Sequence, residues 1–298
     1  MKITDCLFNS GGCIAALGTF DGVHHGHVAV INAAKEYNLP VVVVTSKQNP
    51  KQVLSGKGGR ILSASLCDSV FEQLGVSAVI RLDFAQIRDM QPNEYLDMLR
   101  DRLGAVGFVC GFNFKFGYKA TGNVDVLSRY CNQNGLFFKA CDSVDIDGAP
   151  VSSTRIRQAI AQGDMLTAKG LLGDFYRIDF EVSHGDARGR KLGFRTINQL
   201  YGEDFSLPRF GVYATVAVID GKRYAAVTNV GTKPTFGINQ VSAETHICGY
   251  NGDLYGLSPT VEFAQFIRDE IRFDSADKLI AQIEHDRITS QDIVKDLL

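Results

Sequence analysis

Cys13-Ile14-Ala15-Ala16-Leu17 runs directly into Gly18-Thr19-Phe20-Asp21-Gly22-Val23-His24-His25-Gly26-His27. Five apolar residues read as a buried strand, the glycine-rich stretch as a loop, and Gly26 to Tyr37 as a helix. Strand, loop and helix then recur. Pro40 to Thr45 is a second expected strand, Ala64 to Leu74 a helix and Ala78 to Leu82 a third strand. Asn93 to Leu103 is a helix, Phe108 to Cys110 a fourth strand and Phe137 to Ala140 a fifth. This alternation predicts a parallel, doubly wound α/β sheet, a Rossmann-like layout. Such sheets bind ligands beyond the carboxyl ends of their strands, at the topological switch point.

Around Gly173-Asp174 the rhythm changes. Tyr176 to Ser183, Gly211 to Ile219, Arg223 to Asn229, Val241 to Ile247 and Thr260 to Phe266 follow one another with little helix between them. Asp220-Gly221 between two alternating runs is a hairpin signal. A small antiparallel β-barrel is expected, closed by a terminal helix from about Ser275 that places Leu279, Ile280 and Ile283 on one face. A length of 298 residues suits two domains, and the change of rhythm places them at 1–173 and 174–298.

Lysine plus arginine is 31 and aspartate plus glutamate 33, a net charge of −2. That balance argues against a protein held to nucleic acid by bulk charge. The seven cysteines contain no CxxC pair, which argues against a zinc site or a disulfide framework and for reduced thiols in a cytoplasmic protein. Neither a signal-peptide core nor an apolar run of membrane-spanning length is found.

Three clusters in the first half carry chemistry. In the H-x-G-H core, Gly26 removes a side chain where a phosphate approaches the backbone. The helix N-terminus there offers N–H groups and the positive end of a dipole, and His24 and His27 can donate to phosphate oxygens. The same histidines also admit plainer readings, as inert loop residues or a metal pair. Ser152-Ser153-Thr154-Arg155-Ile156-Arg157 puts two arginines in a first helical turn, where the dipole disfavours cations unless an anion binds. Gly111-Phe112-Asn113-Phe114-Lys115-Phe116-Gly117 follows a strand, and its aromatics suit either a core or a pocket for a flat ring.

In chain order, G-T-F-D-G-x-H-x-G-H, then G-F-N-F-x-F-G, then S-S-T-R-I-R, the three clusters resemble the nucleotidyltransferase module of the bacterial bifunctional riboflavin kinase/FAD synthetase family. The resemblance implies that His24, His27, Ser153 and Arg155 hold ATP phosphates, with Gly18, Phe20, Asp21, Thr154 and Arg157 in the same ATP-binding set. It implies that Asn113 and Phe114 help to position flavin. One stretch departs: where the family shows T-F-x-P-H-P, this chain has Thr45-Ser46-Lys47-Gln48-Asn49-Pro50.

In the second half, Gly185-Asp186-Ala187-Arg188-Gly189-Arg190-Lys191-Leu192-Gly193-Phe194 is a glycine-rich basic loop suited to phosphates, though not a Walker A sequence. Thr196 and Asn198 point the same way on an extended strand and offer hard oxygen ligands of the kind magnesium takes beside substrate phosphates. Glu244, in Glu244-Thr245-His246-Ile247, is a candidate general base or a solvated strand residue. With L-P-x-x-G-V-Y, N-x-G-x-x-P-T-F and D-L-Y-G followed by I-R-D-E, these segments resemble the riboflavin kinase module of the same family. The resemblance implies that Thr196 and Asn198 bind Mg²⁺ and nucleotide phosphates, that Glu244 is the base for the flavin 5′-hydroxyl, and that Arg268 lies on the flavin side. Gly185, Gly189, Arg190 and Gly193 would form the ATP-binding loop. Here the family's Pro-Thr-Ala-Asn is replaced by Arg195-Thr196-Ile197-Asn198. Loss of the proline removes a φ restraint, and the guanidinium alternatively adds a phosphate contact.

The expectation is therefore a bifunctional enzyme acting on riboflavin, FMN and ATP, with Mg²⁺, and with neither nucleic acid nor membrane as partner. It first phosphorylates riboflavin to FMN and then adenylylates FMN to FAD. The alternatives are a chain that keeps one of the two activities and a flavin-binding regulator without turnover.

Overall fold

A computed structural model describes residues 1–4, 11–56, 58–184, 194–235 and 238–298. They divide into two compact units, Met1–Gly58 with Ala64–Ser153, and Gly59–Ser63 with Thr154–Leu298.

The first unit holds six parallel strands, β1 (Lys2–Thr4), β2 (Cys13–Leu17), β3 (Val41–Ser46), β4 (Ala78–Leu82), β5 (Ala105–Gly111) and β6 (Phe137–Cys141), in the order β1-β4-β3-β2-β5-β6. Strands covered on both faces are apolar throughout rather than alternating, and every residue of β2 is buried. Cys13, Ala15 and Leu17 face a core completed by Leu96, Leu99 and Leu103 of α5 (Pro92–Leu103) and by Leu127 and Cys131 of α6 (Val124–Asn134). On the other face, which carries Ile14 and Ala16, lies α1 (His25–Lys35). Between them in sequence come α2 (Pro50–Ser55), α3 (Ala64–Gln73) and α4 (Phe84–Ile87). A short hairpin, β7 (Asp145–Ile146) with β8 (Ala149–Pro150), precedes α7 (Ser153–Gln162). From β2 the chain steps outward through β3 and β4, then returns to the other side of β2 as β5. The switch point is thus the β2/β5 boundary, and the loops that begin at Gly18 and at Phe112 both leave it at the carboxyl edge.

In the second unit α7 is followed by α8 (Met165–Leu172), and then a curled antiparallel half-barrel begins. Its strands are β9 (Tyr176–Ile178), β10 (Val182–Ser183), β11 (Thr196–Leu200), β12 (Gly211–Ile219), β13 (Lys222–Thr235), β14 (Ile238–Ile247) and β15 (Thr260–Arg268), in the order β10-β11-β14-β13-β12-β15-β9. The expected single strand from Tyr176 to Ser183 is broken into β9 and β10, which form the two opposite edges of the ladder. Asp220 and Gly221 both take positive φ, 50° and 75°, and join β12 to β13 with Ile219 paired to Lys222. That is the two-residue turn that matches strand twist. Inside the curl, the hydroxyls of Thr215, Thr228 and Thr245 satisfy one another at 2.9 Å in a fully buried ladder.

The terminal helix α9 (Ala276–Val294) is capped by Ser275, whose Oγ accepts from the Lys278 N–H. Its buried line differs from the expected one. Leu279, Ile280 and Ile283 are half-buried, and the deeply buried positions are Asp286, Ser290 and Val294, spaced by four. Val294 enters a core with Ala214, Val216, Ala225 and Ala264. Ser290 Oγ donates to the Ala226 carbonyl at 2.6 Å. Asp286 accepts from Arg268 Nε and Nη2 and from Gln282. Polar groups can hold a helix this way only because each is matched.

Two candidate active sites

The loop after β2 is a strained turn pinned from several sides. Phe20 and Val23 sit at φ of 48° and 43°, a region costly for a bulky and a β-branched residue. Both side chains are buried. Phe20 packs edge-on to Phe71 and lies 5.0 Å from the His27 ring. A side chain at Gly18 would press on the Phe20 ring. Thr45 Oγ1 donates to the Thr19 carbonyl, and Ser153 Oγ donates to the Asp21 carbonyl at 3.1 Å. The turn delivers His24 as the residue preceding α1, with its ring stacked on His27 at 3.7 Å. A Cβ on Gly26 would approach the His24 ring to 3.2 Å. Gly26 therefore clears space for that ring.

His27 Nδ1 is buried and has no hydrogen-bond partner among the described residues. Burial of the ring, and then the neighbouring His24, hold its pKa well below the ordinary histidine value. A neutral His27 donates through one ring nitrogen, and the ring gains a proton most readily when an anion arrives. Beneath the loop, burial and then the Asp21 charge push the Cys67 thiol up to about 12, which makes it inert packing.

The stretch that departs from the family pattern is internally bonded. Ser46 Oγ donates to the Gln48 carbonyl, and Gln48 Oε1 accepts from the Phe84 N–H. Asn49 Nδ2 donates to the Gly58 carbonyl at 2.7 Å and reaches Asp21 Oδ2 at 3.4 Å. Asn49 thus joins the loop that carries Asp21, a link the sequence reading missed. Beyond β5, Asn113 is exposed, whereas Phe114 is half-buried and stacked on Phe116 at 5.4 Å. Of that loop's aromatics Phe112 is the exposed one, at 49%. Thr154, Arg155 and Arg157 lie on α7 within the second unit, where Arg157 Nε donates to the Gly59 carbonyl.

The half-barrel gathers a second set. Asn198 on β11 is directly opposite Glu244 on β14, and Glu244 is directly opposite Asn229 on β13. Directly paired residues share a face with Cβ atoms about 4.5–5.5 Å apart. Thr196 and its partner His246 lie on that face too, two residues along. By the same register it is the face that bears Ala214 and Val216, against which α9 packs. Glu270 completes the group, for its carboxylate accepts from Asn229 Nδ2 at 3.4 Å and fills the space beside Gly231 that a Cβ would need. Asn229, His246 and Glu270 were not singled out from sequence. They stand inside the motifs N-x-G-x-x-P-T-F, E-T-H-I and I-R-D-E, but only strand register, and for Glu270 the approach beside Gly231, joins them to Asn198, since no linear spacing links residue 198 to 229, 246 and 270. A small cavity of about 60 Å³ lies beside Thr196, lined by Thr245, Tyr250, Asp253, Leu254 and Tyr255. His184, just ahead of the glycine-rich stretch of sequence, stacks on Tyr255 at 4.1 Å. Gly185, Gly189, Arg190 and Gly193 lie outside the described residues.

Arg268 is engaged by the buried Asp286 and by the Asp269 carbonyl. The geometry makes it an anchor of α9 first. Among the described residues, no cluster of three His, Cys, Asp or Glu side chains could hold a metal by itself. No helix is long and apolar enough to cross a membrane.

Comparison with known proteins matches two stretches of the chain separately. A riboflavin kinase family model matches residues 172–294, and an FAD synthetase family model matches residues 8–155. The bifunctional riboflavin kinase/FMN adenylyltransferase of Listeria monocytogenes serovar 1/2a is 33% identical over 283 residues, covering 92% of this chain and 90% of the relative. That of Pseudomonas fluorescens is 35% identical over 285 residues, covering 92% and 91%. A solved structure named as a macrolide-efflux protein from Streptococcus pneumoniae aligns with a TM-score of 0.85 at 30% identity, covering 96% of this chain and 95% of that one. Its name describes that protein, and what is shared is the fold.

Proposed function

The chain belongs to the bifunctional riboflavin kinase/FMN adenylyltransferase family, and from that premise we propose which of its residues perform each reaction. ATP is the co-substrate of both steps. Riboflavin is phosphorylated to FMN, and FMN is adenylylated to FAD with release of pyrophosphate. We assign the adenylyltransferase to residues 1–173, the kinase to residues 174–298, and the protein to the cytoplasm.

In the kinase, Glu244 takes the proton of the riboflavin 5′-hydroxyl as that oxygen attacks the γ-phosphorus of ATP and ADP departs. The observation that carries this reading is the pairing of Asn198 with Glu244 on one face, with Thr196 one step along. It sets a carboxylate beside two neutral oxygen ligands. That donor set fits Mg²⁺, which keeps several waters and shares its coordination with substrate phosphates rather than needing an all-protein cage. When bound, the cation neutralises charge on the transferred phosphate. Thr196 and Asn198 would hold it, and Gly185, Gly189, Arg190 and Gly193 would wrap the nucleotide phosphates.

In the adenylyltransferase, an FMN phosphate oxygen attacks the α-phosphorus of ATP and pyrophosphate leaves. His24 and His27 donate to the phosphates, at the N-terminus of α1. Gly18, Phe20 and Asp21 shape the turn that presents them. Phe20 acts through the core rather than by touching nucleotide. Ser153, Thr154, Arg155 and Arg157 are assigned to the same phosphates. Asn113 takes the flavin side, with exposed Phe112 a better stacking surface than half-buried Phe114. The bonded Ser46–Asn49 turn supports retention of this activity, because Asn49 secures the Asp21 loop without the family's histidine.

The test is product chromatography. Purified protein with ATP and Mg²⁺ should convert riboflavin to FMN and then FAD, and supplied FMN to FAD. Riboflavin halting at FMN, with FMN inert, would leave a kinase alone. Riboflavin left untouched while FMN becomes FAD would leave an adenylyltransferase alone. Flavin binding without any product would indicate a regulator.

A further inference from the structure

We infer that Arg195 is a positioning residue for Thr196, replacing by a side-chain tether the backbone restraint a proline would give. The inference rests on the kinase reading above. Three contacts fix this residue's neighbourhood. Its guanidinium Nη1 donates to the Asn251 carbonyl at 3.0 Å. Its own carbonyl accepts from His246 Nδ1 at 2.9 Å, since a carbonyl oxygen cannot donate. The preceding Phe194 meets the His246 ring edge-on at 5.5 Å.

Asn251 belongs to the connection between β14 and β15, which is itself anchored. Tyr250 packs edge-on to Tyr224, and a side chain at Gly252 would collide with the Tyr250 ring. The same connection lines the cavity beside Thr196. The tether therefore joins the entry of β11 to a fixed wall of that cavity, with Thr196 as the next residue. Arg195 is exposed, so its loss removes little packing. What it removes is one charge-assisted hydrogen bond that sets where the Thr196 hydroxyl stands.

The experiment compares wild type, Arg195→Ala and Arg195→Lys as full chains. Two quantities are read: Mg²⁺ dependence of FMN formation, and hydrogen exchange of the 194–200 and 249–255 backbones. Arg195→Ala should raise the KM for Mg²⁺ about three- to tenfold, with kcat within about twofold. Exchange should quicken in both segments, and FAD formation from FMN should stay at the wild-type rate. Arg195→Lys, which keeps one donor, should recover most of the loss. An unchanged Mg²⁺ KM with unchanged exchange would overturn the proposal. So would weakened binding of ATP in EDTA by the alanine variant, because that marks a direct phosphate contact. A wild type that makes no FMN defeats the kinase reading instead, and the exchange comparison still decides the tether.

Discussion

Replacing Gly26 by alanine should cost activity out of proportion to any change in stability. Gly26 is the second residue of α1, and alanine is the better helix former by about 0.5–1 kcal/mol in a helix interior, an upper bound so near the end. On propensity alone the variant melts no lower than wild type. The new Cβ, however, lies 3.2 Å from both Cε1 and Nδ1 of His24, inside ordinary van der Waals contact. The His24 ring cannot slide freely, because it is stacked on His27 and His27 rests on Phe20. A shift of a few tenths of an ångström must be shared among the three rings. A misplacement of 1 Å at a reacting centre costs about a hundredfold, so this shift alone corresponds to about three- to fivefold. On the proposed assignment the methyl also stands where a phosphate meets the backbone, which raises the expected loss in kcat/KM for FAD formation to about tenfold or more. The assay is FAD formation from FMN and ATP, with FMN formation from riboflavin in the same preparation as control. A variant that makes FAD within about 1.5-fold of wild type would refute the placement of phosphate at the His24 end of α1.

Other expectations are as direct. Asp286→Ala leaves the Arg268 guanidinium without its buried carboxylate and should cost about 3–5 kcal/mol. In thermal unfolding that is about 10 °C or more for a unit of this size, and a loss under about 1 kcal/mol would contradict the anchoring of α9. Pairing Asp286→Leu with Arg268→Met should cost less than Asp286→Ala alone, because no unpaired charge remains. The pH profile follows from His27. Its folded pKa is depressed, so its contribution is complete above the unfolded value of about 6.5 and is lost as pH falls from there toward the folded value. Between pH 7.5 and 5.5 the melting temperature of wild type should therefore drop further than that of His27→Gln, and parallel profiles would refute the buried neutral ring.

Much of this was legible in the sequence because the signals are local. Cys13–Leu17 and Ala78–Leu82 are strands with the expected bounds, and Asp220-Gly221 is the turn between β12 and β13. Backbone demands at a turn and uninterrupted apolar runs need no tertiary context. The misses have physical causes. Helix α6 was passed over, since its buried Leu127, Tyr130 and Cys131 sit among polar residues that disguise the stripe. The buried line of α9 was misplaced onto apolar residues because Asp286 and Ser290 are tolerated inside only by virtue of Arg268 and the Ala226 carbonyl. Neither partner is near in sequence. The half-barrel cluster was half legible: Thr196, Asn198 and Glu244 carried expected roles, whereas Asn229 and Glu270 stand in quoted motifs without a role, and only strand register and the approach beside Gly231 bring them to the others. The Ser46–Asn49 departure reads as a loss in one dimension, and Arg195 as either a lost restraint or an added phosphate contact. In three dimensions both stretches are hydrogen-bonded to neighbouring segments.

The most direct test of one chemistry per half is a crossed assay of His27→Ala and Glu244→Gln, each given riboflavin or FMN with ATP and Mg²⁺, and each checked for folding by its melting curve. His27→Ala should form FMN from riboflavin at close to the wild-type rate and lose about a hundredfold or more in FAD formation. Glu244→Gln should leave riboflavin nearly untouched while still converting FMN to FAD. A folded variant of either kind that loses both reactions together would contradict the account.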